Sequence, residues 1–309
     1  MRWHRRGHYV VSRLHLPNGD PAMSKFDIRN WIGLRYGESI ENYHADKTAI
    51  SKSGLDQIAQ APFIYYSRSL DPLRPPEPQK AGQLEGNLAH CATLEPDEFD
   101  KRYVVGPDVL RSTKVWKEFA KEHADRIAIK PDQYETAWRQ GDSIRMLPQI
   151  REALKTGRAE VSARWIDPDT GVRCRCRPDW EHPTGSKTVK LLDVKTYSSA
   201  AAEEFKHQVA RKAYHVQDSF YSDGFAIASG KKVEEFVFVV VETEWPFAAA
   251  AYTLGKDSRE EGYFEYRRLL DIYERCLRNN VWPGYADKTT EIEMPPYAFN
   301  PQEVEFNYV

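Results

Sequence analysis

The sequence predicts an α/β fold in which helices pack on a central mixed β-sheet, and three observations support this prediction. Between residues 159 and 197, apolar and polar residues alternate with the period of two that is typical of strands. Before and after that region, the apolar residues have the spacing of amphipathic helices. A strongly apolar strand, "EEFVFVVVETE", follows the second helical region. Helices, three strands, a helix and a further strand in this order indicate a mixed sheet flanked by helices.

The chain before the strands is predicted to be largely helical. "ISKSGLDQIAQAPFIYYSRS" is predicted to contain an amphipathic helix capped by Ser51 or Ser53 and closed at Pro62. The segment "LDPLRPPEPQK" has four prolines in eleven residues, so it cannot be a helix or a central strand and is predicted to be a loop. Helical spacing resumes in "AGQLEGNLAHCATLEPDEF" and stops at Pro96.

Strands dominate the prediction after residue 158. The first covers 159–167, the turn "PDTG" follows, and the second covers 172–181. The third strand is "TVKLLDVKTY", residues 188–197. The remaining predicted elements are a helix at about 200–228, strands at 234–244 and 247–254, and a closing helix at about 257–279.

Length and composition predict a globular chain with a substantial core. It has 309 residues, of which 41% are hydrophobic. We interpret residues 1–45 as an N-terminal extension whose order the sequence leaves open, and residues 46–309 as a single domain with a helical insertion at about 107–157. The formal net charge of −2 gives no support for nucleic-acid binding. It does not exclude it, because positive charge can be concentrated in one cleft.

Cysteine usage and hydropathy predict a reduced, cytoplasmic protein. The four cysteines include no CxxC pair, and the spacing of Cys174 and Cys176 is too tight for a zinc finger, so we expect no metal or cluster site built on cysteine. No run of 18 apolar residues exists, and the first 22 residues lack the continuous apolar segment of a signal peptide. We therefore expect no membrane association.

The third predicted strand carries two opposite charges among apolar residues. Asp193 and Lys195 share one side of the strand, and burying them is costly unless they meet a metal, a ligand or each other. If the second and third strands are neighbours, Asp179 and Asp193 present carboxylates near one end of the sheet with Lys195 beside them. Mg²⁺ takes carboxylate oxygens, and an ammonium group orients water and stabilises a charged transition state.

A single D-x-K on a strand is more often a solvated face or an ordinary ion pair than a nuclease site. The conjunction changes this balance, because "RPD" at 177–179 and "DVKT" at 193–196 both lie at the ends of predicted strands flanked by helices in a consistent order. With these residues, the sequence resembles the PD-(D/E)XK nuclease superfamily, and within it the RecE-like phage and prophage exonucleases. "ISKSGLDQIAQAP" resembles the opening helix of that family, and "GNLAHCATLEPDEF" resembles its G-x-x-x-H segment.

The resemblance implies a role for each matching residue. His90 matches a histidine used as a metal ligand or active-site residue, Asp179 and Asp193 match metal-binding carboxylates, Lys195 matches the catalytic lysine, and Glu160 matches an acidic residue on the first core strand. The implied cofactor is Mg²⁺, with Mn²⁺ as an alternative because imidazole is a softer ligand than Mg²⁺ prefers. Read alone, His90 is better interpreted as a core histidine bonded to a backbone carbonyl, and Glu160 could be a surface residue at a strand start.

A second set of residues is expected to contact DNA. "QDSFY" resembles the Q-x-x-x-Y motif that lies near the active site and DNA in related nucleases, although its ends could also be an ordinary helix-face pair. Three arginines on the second strand could bind phosphates or form a solvated strand face. The residues assigned to DNA contact are Arg173, Arg175, Arg177, Thr196, Gln217 and Tyr221.

By resemblance, the function is metal-dependent digestion of linear double-stranded DNA from its ends, 5′ to 3′, which leaves 3′ single strands for a RecT-like annealing protein. The resemblance also implies a ring-shaped homo-oligomer that encircles DNA, as in processive members of the family. One alternative is the RecB-like or CRISPR-associated branch, which often carries a four-cysteine iron–sulfur cluster that the spacing here does not match. The other is a catalytically silent DNA-binding or scaffold module, which metal-dependent activity would distinguish.

Overall fold

The computed structural model describes residues 31–75, 82–295 and 298, which form eleven α-helices and ten β-strands. The helices are α1 (Ile40–Ala45), α2 (Lys52–Gln60), α3 (Pro62–Tyr65), α4 (Gln83–Leu94), α5 (Phe99–Arg102), α6 (Lys114–Glu122), α7 (Pro131–Arg145), α8 (Pro148–Leu154), α9 (Ala202–Arg211), α10 (Tyr214–Ser229) and α11 (Lys256–Asn279). The strands are β1 (Gly33–Arg35), β2 (Tyr103–Val105), β3 (Ile127–Ile129), β4 (Arg158–Ala159), β5 (Ser162–Ile166), β6 (Arg173–Cys176), β7 (Trp180–Pro183), β8 (Thr188–Tyr197), β9 (Lys232–Glu242) and β10 (Ala249–Tyr252).

Five strands form the larger sheet, in the order β10-β9-β8-β7-β4. β8 and β9 pair in parallel and every other neighbouring pair is antiparallel, so the sheet is mixed. Its central strands are apolar on both faces because helices cover both. Leu191 and Phe238 belong to the core under α10 and α11, whereas Leu192 and Val239 belong to the core under α7 and α8. This arrangement confirms the predicted α/β fold.

A smaller antiparallel sheet, ordered β1-β5-β6, lies beside the larger one. Ile50 adds to its edge through backbone bonds to β6, donating to Arg173 O at 2.9 Å and accepting from Arg175 N at 2.9 Å. α2 begins two residues later, so this pairing anchors the helix against the small sheet.

The two sheets are joined where two predicted strands break. The predicted strand at 159–167 divides into β4 and β5, with Glu160 between them in a left-handed backbone conformation at φ 54°. The predicted strand at 172–181 divides into β6 and β7, because residues 177–179 cross from the small sheet to the large one and Pro178 has no N–H to donate to a ladder. The crossings lie side by side, since Glu160 N donates to Asp179 O at 2.9 Å.

The predicted helices are confirmed with one division. α4 ends at Leu94 before Pro96, and α11 matches the predicted closing helix. The predicted helix at 200–228 is instead α9 and α10, because Ala213 adopts φ 50° and turns the chain between them.

Residues 31–45, which the sequence assigned to the N-terminal extension, form β1 and α1 and pack on the small sheet. Their anchor is Arg164, whose side chain is fully buried. Arg164 donates from Nε to Asp46 Oδ2 at 2.8 Å and from Nη1 and Nη2 to the two Glu38 oxygens at 2.9 and 3.0 Å. Residues 1–30 and 76–81, which include part of the predicted proline-rich loop, lie outside the described residues.

The region predicted as a helical insertion holds α6, α7 and α8, but also β3, which pairs in parallel with β2. α7 packs against α4 through a small core that includes Leu88, Phe99, Ile129 and Ala137. This packing fixes the helix that carries His90. Among the described residues, no helix combines the length and the apolar character needed to cross a bilayer.

Candidate active site

Five side chains that the sequence assigned to catalysis converge where the two sheets meet. His90 comes from α4, Glu160 and Asp179 come from the two crossings, and Asp193 and Lys195 come from the middle of β8. One potential ligand atom from each of His90, Glu160 and Asp179 lies within 4.8 Å of the other two. Asp179 neighbours Asp193 across the strand pair, because the next residue, Trp180, pairs with Leu192.

Two contacts fix the orientation of His90. Its Nε2 lies 2.9 Å from Val194 O, and its Nδ1 lies 3.4 Å from Asp179 Oδ2. A carbonyl oxygen only accepts, so Nε2 carries the hydrogen, and in the neutral ring Nδ1 carries a lone pair. The carbonyl contact that the sequence allowed for a core histidine is therefore present. Here it turns the other ring nitrogen toward a carboxylate, as in histidines that ligate metals.

Asp179 is buried among charges of both signs. Its Oδ2 accepts from Val194 N at 2.6 Å. Burial above all, together with the carboxylates of Asp193 and Glu160, raises the pKa of Asp179 to about 7 against the opposing effect of His90. Without a bound cation, the ionised form of the Asp179 carboxylate is therefore disfavoured in this site.

Asp193 is held by two partners on its own face of the sheet. Gln217 Nε2 donates to Asp193 Oδ1 at 2.6 Å, and Lys195 forms an ion pair with Oδ2. Burial lowers the pKa of Lys195, but the carboxylates of Asp193 and Asp179 outweigh it, so the pKa lies above its usual value. Lys195 is therefore an ammonium at neutral pH, and it can donate hydrogen bonds but not accept them.

Glu160 is held at the mouth of the site. Its Oε2 accepts from Arg177 Nε at 2.6 Å, and Arg177 also donates from Nη1 to Glu38 O at 2.9 Å. A non-glycine residue with positive φ is uncommon, and such positions cluster at functional sites because the surrounding structure must hold them.

The donor set fits a divalent cation. Asp179 Oδ2 and His90 Nδ1 lie 3.4 Å apart. The carboxylate oxygen is an acceptor, and so is Nδ1 when the imidazole is neutral, so their approach is favourable only with a cation or a proton between them. Two carboxylates and one imidazole are the ligands that Mg²⁺ or Mn²⁺ could take. Asp193 is not in this group of three. Its carboxylate lies beside the group and is already bonded to Gln217 and Lys195.

The three arginines assigned to DNA contact have partners inside the protein. Arg175 is buried at 5% exposure, donates to Tyr43 O and lies 4.6 Å from the centre of the Tyr43 ring. Arg173 donates to Trp31 O at 3.4 Å, and Arg177 holds Glu160. The geometry therefore gives these side chains structural contacts and offers no free guanidinium at Arg175 for a phosphate.

Thr196 and the Q-x-x-x-Y pair occupy different surroundings. Gln217 and Tyr221 lie one turn apart on α10, and Gln217 orients Asp193. Tyr221 packs edge-on against Phe236 at 5.9 Å between ring centres. Thr196 lies on the opposite face of β8 from Asp193, near Gly86 of α4. These contacts do not place Thr196, Gln217 or Tyr221 on an open groove that could hold DNA.

Two tyrosines near the site were missed by sequence reasoning. Tyr43 covers the small sheet, and its ring lies 4.6 to 5.7 Å from the guanidinium groups of Arg164, Arg175 and Arg177. Tyr214 lies against Lys195, 4.8 Å from Nζ to the ring centre. No local motif marks either residue, because both contacts join distant parts of the chain.

Comparisons with known proteins agree with this architecture. The PDDEXK-like domain of unknown function (DUF3799) matches residues 51–294 of the chain. A search of curated protein sequences finds no match.

The chain is similar to solved structures, one of which shows the same fold. A crystal structure described as a candidate exonuclease from Eubacterium rectale has a TM-score of 0.54, with 14% identity over 84% of this chain and 97% of that one. The alkaline exonuclease from Laribacter hongkongensis has a TM-score of 0.24, with 11% identity over 63% of this chain and 97% of that one. The chain belongs to the PDDEXK-like family DUF3799 and has the PD-(D/E)XK nuclease fold.

Proposed function

We propose that the chain is a metal-dependent deoxyribonuclease that digests linear double-stranded DNA from an end. The observation that carries this proposal is the convergence of His90, Glu160 and Asp179 within 4.8 Å beside the Asp193–Lys195 pair. A structural ion network has no need for three carboxylates and an imidazole at the boundary of two sheets. Phosphodiester hydrolysis does need charge neutralisation and a positioned proton donor.

In this proposal His90, Glu160 and Asp179 hold a divalent cation, with Asp193 adjacent. When bound, Mg²⁺ or Mn²⁺ supplies Lewis acidity toward the phosphate. Lys195, an ammonium, donates to the water or to a phosphate oxygen and stabilises negative charge as it develops. Gln217 keeps the Asp193 carboxylate oriented by donating to Oδ1.

The finer parts of the proposal rest on the resemblance to RecE-like exonucleases. They are 5′ to 3′ polarity, 3′ single strands passed to a RecT-like annealing protein, a ring-shaped homo-oligomer, and preference for Mg²⁺. The similarity to a candidate exonuclease supports action at ends over internal cleavage. Light scattering of the purified chain tests the oligomer, and a monomer at micromolar concentration would remove the ring from the proposal.

Cleavage is tested on linear duplex DNA labelled separately at the 5′ and 3′ ends, with Mg²⁺, Mn²⁺ or EDTA. Circular duplex serves as the control for a requirement for ends. Expected is metal-dependent loss of the 5′ label first, absent in Asp193→Ala and Lys195→Ala. The matched control is Lys190→Ala, on the same strand but on its other face, where Lys190 pairs with Glu235 at 2.8 Å.

Intact DNA under every metal, with binding retained, would overturn the enzyme and favour a silent DNA-binding module. Rapid cutting of circular duplex would keep a nuclease but remove the end-directed activity.

A further inference from the structure

Lys195 lies over an aromatic ring that no sequence motif marks. The Lys195 Nζ is 4.8 Å from the centre of the Tyr214 ring, within the range of a cation–π contact. Tyr214 is the first residue of α10, the helix that also carries Gln217. One helix therefore supplies a contact to each member of the Asp193–Lys195 pair.

The Tyr214 ring is held on several sides. Its hydroxyl is hydrogen bonded to the hydroxyl of Tyr197, which lies two residues after Lys195 on the same face of β8. The ring stacks on Phe238 of β9, with 5.4 Å between centres and 27° between planes. Phe205 of α9 lies 6.1 Å away. A ring fixed by two strands and a helix is a rigid surface.

The turn before α10 explains how the ring reaches this place. Ala213 has φ 50°, a conformation that an L residue adopts only when its surroundings impose it. Lys52 of α2 fastens the same turn, because its Nζ donates to Lys212 O at 2.7 Å and pairs with Asp56 at 2.9 Å. The turn is thus tied from outside, and Tyr214 follows it directly.

A catalytic lysine needs such a surface because its four-carbon stem is flexible. An ammonium at the end of four rotatable bonds samples many positions unless neighbouring groups restrict it. The ion pair with Asp193 restricts the distance between the charges but not the direction of the stem. A ring beside the ammonium supplies the missing restriction without adding a hydrogen bond that would compete with substrate.

We propose that Tyr214 is a positioning residue that holds the Lys195 ammonium in its working place through the ring rather than through the hydroxyl. The importance of this role rests on the proposed function, since it affects catalysis only if Lys195 acts in the reaction. The contact itself does not depend on activity.

The kinetic test compares Tyr214→Leu, Tyr214→Phe and Tyr197→Phe. Tyr214→Leu should lower kcat by about 10- to 100-fold with the KM for DNA within about threefold, because a misplaced catalytic group affects the chemical step. Tyr214→Phe keeps the ring and should stay within about threefold of the native chain, as should Tyr197→Phe. Equal losses in Tyr214→Leu and Tyr214→Phe would overturn the proposal, because the hydroxyl would then be the operative group.

An NMR measurement on metal-free protein tests the contact without catalysis. The chain is labelled with ¹³C at the ε carbon of lysine, and Lys195→Arg identifies the signal of Lys195. A ring at this distance should shift the ε protons upfield in the native chain and in Tyr214→Phe, and not in Tyr214→Leu. A native signal at the position of the exposed lysines would overturn the proposal, whether or not Tyr214→Leu folds.

The two measurements separate the two proposals. An inactive native chain with a shifted Lys195 signal would contradict the proposed nuclease function but support the contact between Tyr214 and Lys195. An active native chain with an unshifted signal would leave the nuclease and remove the role of Tyr214.

Discussion

Two clusters of buried charge, one on the small sheet and one where the two sheets meet, are built differently. The Arg164 cluster consists of Arg164, Glu38 and Asp46. The Asp179 cluster consists of His90, Glu160, Asp179, Asp193 and Lys195. Both contain carboxylates and cations, so residue type alone does not tell a structural network from a catalytic one.

The difference lies in how the carboxylates are satisfied. Burial raises the pKa of Glu38 and of Asp46, but hydrogen bonds from Arg164 and from hydroxyl groups outweigh it, so both values lie below their usual range. In the Asp179 cluster, burial raises the pKa of Asp179 to about 7. The first cluster is complete, whereas the second has ligand atoms in excess. An excess of acceptors indicates a place for a cation.

The largest expected effect separates the clusters by activity. Asp179→Asn should lower the rate of DNA cleavage by about 10³-fold, because it removes a charge from the group that would hold the cation. Initial rates on linear duplex in Mg²⁺ or Mn²⁺ measure the loss. Glu38→Gln, in the Arg164 cluster, is the matched carboxylate control and should retain cleavage per folded molecule. A loss shared equally by both variants would mean that the clusters are not functionally distinct.

Stability should show the opposite order. Arg164→Met leaves Glu38 and Asp46 buried without their main partner, and the free energy of unfolding should fall by about 3–5 kcal/mol. Urea unfolding monitored by tryptophan fluorescence measures the change. Lys155→Met, which breaks an exposed pair with Glu152, is the control and should change stability by less than about 1 kcal/mol. A comparably small effect at Arg164 would show that the buried network does not anchor residues 31–46.

Metal should stabilise only the chain with an intact Asp179 cluster. At about one hundred times its Kd, a cation that binds the folded state alone adds about 2.7 kcal/mol. Thermal unfolding with Mn²⁺, Mg²⁺ or EDTA should therefore show a metal-dependent rise in Tm for the native chain and a much smaller one for Asp179→Asn. An equal rise in both would place the cation elsewhere.

The smallest expected effect is a pH dependence of stability in EDTA. A carboxyl with a raised folded-state pKa destabilises the protein above its unfolded-state value, so stability should increase as pH falls from about 8 towards 5, by roughly 1–3 kcal/mol. Asp179→Asn should be more stable than the native chain at pH 8 and lose this slope. Urea unfolding at several pH values provides the measurement, and identical slopes in both chains would contradict the assigned pKa.

The Arg164 cluster predicts the reverse at lower pH. Its two carboxyls have lowered pKa values, so their contribution is present above about pH 4 and is lost as the pH falls through the folded-state values. The native chain should therefore be most stable in EDTA between these two transitions.

Local pattern was sufficient for much of the fold. The period of β8, the apolar run of β9 and the stop at Pro96 are encoded within each segment, and these elements were predicted correctly. The divisions at Glu160 and Pro178 were not, because alternation continues in the sequence across both crossings while the chain changes sheets. Only pairing with other strands decides where a strand ends in such a case.

The candidate site was predictable where strand geometry sufficed. Asp193 and Lys195 share a face of β8 as the alternation requires, opposite Leu192 and Val194. The surroundings of Arg175 were not predictable, because the tyrosine that covers it lies in a segment assigned to an extension. The contact between Gln217 and Asp193 likewise depends on how α10 docks on the sheet.

The side-by-side crossings have a consequence for how the protein matures. The three candidate metal ligands, His90, Glu160 and Asp179, come from distant parts of the chain, so neither a single segment nor one sheet contains them all. Closing such widely separated contacts costs chain entropy and is slow, so the group forms only after both sheets and α4 have assembled. The capacity to bind a cation should therefore appear late in refolding, after most secondary structure. A partly folded chain should therefore bind no cation at this site.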